Sequence, residues 1–171
     1  MSTASESLLN DLQRRVGKIT VHNPQYGKSG SHIDVSIDPD SLVDAATVLC
    51  EAGYFLEDLA GVDVAEGIWL IYHFDRHDAS CRLTLRALVP HGKPCAPSLC
   101  GIFKGADWHE RECFDFYGVR FDGHPNLKPL LLPDDIDQPP LLKETGKMPI
   151  LGLIPLERWV EDRSKPRAGL P

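Results

Sequence analysis

No stretch of this 171-residue chain stays apolar for long. The longest apolar runs, Ile68 to Tyr72 and Leu130 to Leu132, fall far below the ~18 residues that mark a membrane span, so any membrane contact is expected to be indirect. A surplus of positive charge is missing too: 18 Lys and Arg stand against 25 Asp and Glu, a formal net charge of −7. Phosphate binding needs a basic surplus on some face, and no interleaving of aromatic and basic residues of the RNA-binding type occurs, so no nucleic-acid partner is expected. Met1 to Ser7 supply neither a basic region nor a long apolar one; no secretory signal is read, and the chain is placed in the cytoplasm. There is no Gly-x-Gly-x-x-Gly or Walker-type loop to hold a dinucleotide or a phosphate, and no internal repeat.

The cysteine pattern is incomplete for an iron–sulfur cluster. Cys50, Cys81, Cys95, Cys100 and Cys113 form an odd set, and free thiols are the default in a cytosolic chain. Cys95 and Cys100 have C-x4-C spacing, but a plant-type iron–sulfur site wants a further cysteine where Phe103 stands. His109-Glu110 begins like a metalloprotease helix, yet the second histidine position is Cys113 and no third ligand follows. His109 and Cys113 share a helical face without an oxyanion hole or an orienting third group. His73 and His77, at a strand end, make a weaker metal pair still. The chain is therefore predicted to be colourless and metal-poor.

At this length one domain can bury about two thirds of the surface its unfolded form exposes. Leu8, Leu9, Leu12 and Val16 mark a first helix capped by Ser5 or Ser7. Ile19 to His22 and the alternating Ile33, Val35 and Ile37 predict a hairpin around the turn from Asn23 to Ser31. Asp38-Pro39 opens a helix with Leu42, Val43, Ala46, Leu49 and Cys50 inward and Gly53 at its end. Strands follow over Tyr54 to Leu59, Ile68 to Phe74 and Cys81 to Val89. The order α-β-β-α-β-β-β-α predicts an α/β (α+β type) fold: a two-layer domain with a mixed sheet packed by helices.

The last helix carries the most unusual residues. Asp107 as cap, Glu110 reaching back in a capping box and Gly118 as a left-handed stop predict a helix over Trp108 to Tyr117. Glu110, Cys113, Phe114 and Tyr117 then share one stripe, which gives the Glu110 carboxylate a need for a partner, with Arg120 one candidate. Arg111 and Asp115 are spaced for a weak i, i+4 pair. Beyond Gly118, Pro125, Pro129, Pro133, Pro139, Pro140, Pro149 and Pro155 oppose regular structure, while the leucines among them need burial against this domain or a partner. This predicts a core domain over 1–121 and an extended docking tail over 122–171.

Glu110-Arg111-Glu112, Asp115, Gly118, Phe121, Gly123-His124-Pro125, Lys128, Leu130-Leu131 and Pro133-Asp134-Asp135 run in an order that resembles the 30 kDa subunit family of respiratory complex I, NADH:quinone oxidoreductase. Leu59 to Asp63 and Ile68 to Phe74 resemble the family's central strands, so the resemblance spans roughly residues 55–143. The chain departs from the family's usual pattern at Ile136, where Trp is common, and over Asp137 to Lys143; Met148 to Pro171 fits no recognised pattern. Related subunits occur in membrane-bound energy-converting hydrogenases, and a free-standing metal or thiol protein is a third reading. The resemblance implies a two-layer α/β fold and a non-catalytic peripheral subunit beside the large hydrogenase-like subunit near the quinone site, among other hydrophilic-arm subunits. It implies no cofactor on this chain, with flavin, iron–sulfur clusters and quinone on its partners in an electron-transport assembly. It also implies a position on the cytoplasmic face of the inner membrane through that complex. The motif residues named above are then interface or structural residues, with no catalytic group among them.

Overall fold

The computed structural model describes residues 3–78, 80–133 and 139–143. Its order is α1 (Thr3–Val16), β1 (Ile19–His22), the short α2 (Tyr26–Ser29), β2 (Ile33–Ile37), a 3-10 turn (Pro39–Ser41), α3 (Leu42–Glu51), β3 (Tyr54–Val64), β4 (Gly67–Arg76), β5 (Leu83–Val89), β6 (Cys95–Pro97), α4 (Ala106–Tyr117) and β7 (Arg120–Asp122). Five strands form one mixed sheet in the order β1-β2-β5-β4-β3, antiparallel except for the parallel pair β2 and β5. The predicted hairpin is present, with Ile19 opposite Ile37 and α2 inside its connection. Among the described residues no helix is long and apolar enough to cross a membrane.

Alternation sets the two faces of the sheet. Ile33, Val35, Leu83, Leu85, Ala87, Ile68, Leu70, Tyr72 and Phe74 are buried on the inner one. The opposite face carries the bidentate Arg86–Asp34 pair (2.7 Å for both bonds) and His73 against Asp58. At the sheet's end, α4 lies against β3. Gly61 permits that approach: a Cβ there would sit 2.5 Å from the Tyr117 ring.

Several boundaries differ from the sequence expectation. In α1, Leu8 and Leu12 are buried as expected, but the helix starts at Thr3; Ser5 lies inside it, 3.8 Å from Cys81 Sγ. Asp38 caps the 3-10 turn through Asp40 N–H, so α3 begins later than Asp38-Pro39 suggests. The shift brings Ala45 and Val48 inward with Leu42, Ala46 and Leu49 and leaves Val43 and Cys50 exposed. Two short parallel strands, β6 and β7, escape the sequence reading, because three residues are too few to show periodicity. β7 also places regular structure after Gly118, just ahead of the first proline of the tail.

The charged helix departs most. It starts at Ala106 after Gly105, with no side-chain cap, and Glu110 does not reach back to form a capping box. Gly118 does take the left-handed stop, φ +70°, and its N–H donates to Phe114 O. Arg111 and Asp115 do not pair with each other, and Arg120 is exposed rather than bound to Glu110. Glu110, Arg111 and Asp115 each bond groups outside the helix instead. The opening of the tail is also no loose appendage: residues 122–133 are bonded back to α4, and Leu127 packs on the core.

Candidate functional site

Helix α4 is where the sequence-selected residues meet, and its two flanks do different work. Glu110 points inward with 0 % of its surface exposed. Its Oε2 accepts from Ser98 Oγ at 2.6 Å and from Cys100 Sγ at 3.5 Å, while Oε1 accepts the Leu99 N–H at 2.7 Å. The helix thereby fixes the turn after β6. Burial pushes the Glu110 carboxyl above its ordinary value, and the bonds from Ser98 and Leu99 oppose that rise. The same burial raises the Cys100 thiol to about 11 and the Cys113 thiol to about 12, leaving neither as a ready nucleophile.

On the other flank, Arg111 Nε and Nη2 donate to the carbonyls of Lys128 (3.0 Å) and Pro129 (2.9 Å). Asp115, 7 % exposed, accepts three successive backbone N–H groups at one oxygen: Leu130 and Leu131 at 2.8 Å and Leu132 at 3.2 Å. These five bonds supply a proline-interrupted segment with the pairing it cannot make for itself. With its backbone engaged, the segment turns side chains outward: Leu131 is 61 % exposed, and Lys128, Pro129 and Pro133 are exposed. Trp108, on the first turn of α4, is 64 % exposed.

The remaining motif residues shape the connection. Phe121 is buried on β7, and Gly123 turns the chain with φ +85°. His124, whose side chain has no exposed surface, donates from Nε2 to Asp107 O at 3.2 Å and accepts the Asn126 N–H at Nδ1, 3.0 Å. Pro125 and Glu112 are exposed, and Leu130 is half-buried. Further on, Pro139 covers Gly118, Leu141 N–H donates to Phe116 O, and Lys143 N–H donates to the buried Asp63 at 2.6 Å, which also accepts from His91 Nε2 at 2.5 Å. The motif residues Asp134 and Asp135, the departure at Ile136 and the segment Met148 to Pro171 lie outside the described residues.

Sequence reasoning therefore selects α4 and the segment after it but assigns the wrong partners. It misses Ser98, the Leu99 N–H, Cys100 and the packing of Asp107 on His124, since nothing in local spacing links residue 98 to 110 or 107 to 124.

The chain is 36% identical over 119 residues to the NADH-quinone oxidoreductase C subunit of Roseiflexus sp. (strain RS-1), covering 66% of this chain and 68% of that protein. It is 38% identical over 96 residues to the corresponding protein of Chloroherpeton thalassium, covering 53% of this chain and 38% of that longer protein. Its fold is similar to a chain in the structure of the membrane-bound sulfane sulfur reductase, an archaeal respiratory membrane complex (TM-score 0.71, 18% identity, 98% of this chain and 95% of that one). It is also similar to a trypsin-resistant fragment (1–134) of Nqo5 (TM-score 0.60, 21% identity, 73% and 100%). The family model described as respiratory-chain NADH dehydrogenase, 30 Kd subunit, matches residues 35–147, more than half of the sequence and the whole of α4 with its bonded segment, so the chain belongs to the 30 kDa subunit family.

Proposed function

We propose that this chain is a non-catalytic docking subunit of a complex I-like NADH:quinone oxidoreductase, held against the large hydrogenase-like subunit. The observation that carries the reading is the bonding of residues 128–132 by Arg111 and Asp115, which orders an extended segment before any partner arrives and leaves Leu131 and Lys128 facing outward. A preordered segment avoids much of the entropy cost that a fold-on-binding tail meets at docking. Trp108 adds an aromatic anchor of the kind that dominates interfaces. Redox groups, flavin, iron–sulfur clusters and quinone, belong to partner chains in this reading, and the subunit reaches the cytoplasmic face of the membrane only through the assembly.

The expected division into a core domain over 1–121 and a docking tail over 122–171 is kept in this reading, with residues 128–132 as a preordered part of the tail. Leu131→Asp and Lys128→Glu leave the bonded backbone intact and place the wrong chemistry at its tip. Affinity purification of the native assembly through this chain should lose the large subunit in Leu131→Asp by at least tenfold, with an unchanged melting temperature. Full recovery of the large subunit would sink the docking role of the segment. Mass spectrometry of the wild-type assembly also separates the hydrogenase alternative, through flavin-containing NADH-oxidising subunits on one side or a nickel-binding large subunit on the other.

A further inference from the structure

Beneath the docking surface, side chains from three separate places in the sequence converge. Cys100 follows β6, Glu110 lies on α4 and His124 follows β7; one potential ligand atom of each lies within 4.8 Å of the other two. Cys100 and Glu110 are buried, and the His124 side chain has no exposed surface. A further carboxylate stands beside His124. Asp107 Oδ1 is buried without a hydrogen-bond partner among the described residues and stands 3.5 Å from His124 Nε2.

From this convergence we propose that Cys100, Glu110 and His124 bind a divalent zinc-type ion, with water as the fourth ligand and Asp107 Oδ1 accepting a hydrogen bond from that water. The sulfur–oxygen distance suits a shared ion. Zinc bonds of about 2.3 Å to sulfur and about 2.0 Å to oxygen or nitrogen place a sulfur and an oxygen ligand about 3.5 Å apart, and a nitrogen and an oxygen about 3.3 Å apart. Cys100 Sγ and Glu110 Oε2 are 3.5 Å apart, and a His124 ring nitrogen lies within 4.8 Å of both, so a small rotation of the ring closes the set. The surroundings also resemble those of a metal ligand set, since the Glu110 carboxylate is itself oriented by Ser98 Oγ and Leu99 N–H.

Protons balance simply. Binding releases the Cys100 thiol proton to solvent, and the imidazole proton moves from Nε2 to Nδ1, leaving Nε2 free for the metal. That shift ends the bonds from Nε2–H to Asp107 O and from Asn126 N–H to Nδ1, and the exposed turn at Asn126 has to open so that water can accept from Nδ1–H. A bound ion would tie β6, α4 and β7 together under the docking segment without any redox role, which makes it compatible with a chain that carries no electron-transfer centre. The sequence expectation of a metal-poor chain rests on contiguous spacing, which ligands at 100, 110 and 124 do not display.

The test loads the full-length chain, stripped with chelator, with Co(II) and separately with Zn(II). Expected are one equivalent of tightly held Co(II), d–d bands of tetrahedral intensity and a thiolate charge-transfer band. Cys100→Ser should abolish the charge-transfer band and His124→Gln should weaken binding at least tenfold, whereas Cys95→Ser and Cys113→Ser should leave both unchanged. X-ray absorption on the zinc-loaded wild type serves if the variants fail to fold, and should show a single sulfur at about 2.3 Å with nitrogen or oxygen ligands. Absence of stoichiometric binding, a ligand set without sulfur, or bands that survive in well-folded Cys100→Ser overturns the proposal.

Discussion

In the five-stranded sheet, Val35, Leu85, Leu70 and Phe74 follow strict alternation, and the backbone pairs with itself along four ladders. Residues 123–133 and 139–143 have no such ladder. Their backbone is bonded by side chains: Arg111, Asp115 and Asp63 take up groups of Lys128, Pro129, Leu130, Leu131, Leu132 and Lys143. The sheet draws its stability from apolar area, which degrades gradually under substitution, whereas the attached segment depends on a few charged side chains that fail singly. The difference explains how a proline-rich segment can be ordered without a core of its own.

The largest expected effect is at Glu110, on the helix that packs on β3 and holds the segment. Glu110→Ala leaves Ser98 Oγ and the buried Leu99 N–H without their acceptor, and the expected loss of unfolding free energy is about 3 kcal/mol, since each bond to a charged group is worth about 1.5–3 kcal/mol. Glu110→Gln keeps one acceptor and should lose about half as much. Urea unfolding with chelator present measures both; equal, small losses in the two variants would mean that the carboxylate does not hold the turn after β6.

That same residue marks where the sequence stops being legible. The sheet is readable because alternation is local: Ile33, Val35 and Ile37 declare a face within five residues. The family motif is readable as an ordered string, and it leads to the right helix and the right following segment. Partner choice is not, because Glu110 as a capping-box residue and Arg111 with Asp115 as an i, i+4 pair are local solutions, worth at most a few tenths of a kcal/mol for the pair. Tertiary contacts bring Ser98 to Glu110 and the Leu130 N–H to Asp115, and those bonds are stronger. A three-residue strand such as β7 likewise carries no period to detect.

Asp115→Ala separates the regions. It removes three acceptor contacts from the segment and none from the sheet, so global stability should fall by about 1–2 kcal/mol. Amide exchange of Leu130, Leu131 and Leu132 should accelerate far more than that of β4. Uniform acceleration across both would show that sheet and segment unfold as one unit.

Gly61→Ala probes the sheet's side of the contact. The added Cβ meets the Tyr117 ring at 2.5 Å, and the ring can yield partly because Tyr117 is only half-buried, so a loss of about 1 kcal/mol is expected. Adding Tyr117→Leu should recover part of it, giving a coupling between the two sites in a double-mutant cycle. Independent effects would place the strain elsewhere.

The smallest expected effect is on acid stability, through Asp63 at the far end of β3. Burial alone would raise its carboxyl, but the bonds from His91 and Lys143 outweigh burial and hold it below its ordinary value of 3.8. A depressed carboxylate contributes stability that is present above the unfolded value and is lost as pH falls through the lower folded value. Asp63→Asn keeps an acceptor oxygen but removes the charge, so it should be less stable than wild type at neutral pH. The gap should begin to close as the pH drops below about 4, the unfolded value, and close fully only below the lower folded value, where Asp63 itself becomes protonated. Because the Lys143 N–H is one of its two partners, the closing gap should be accompanied by faster amide exchange at Lys143 in wild type, while the central strands keep their protection. A gap that stays constant from pH 7 to about 3 would mean that the charge on Asp63 does not tie residues 139–143 to the sheet.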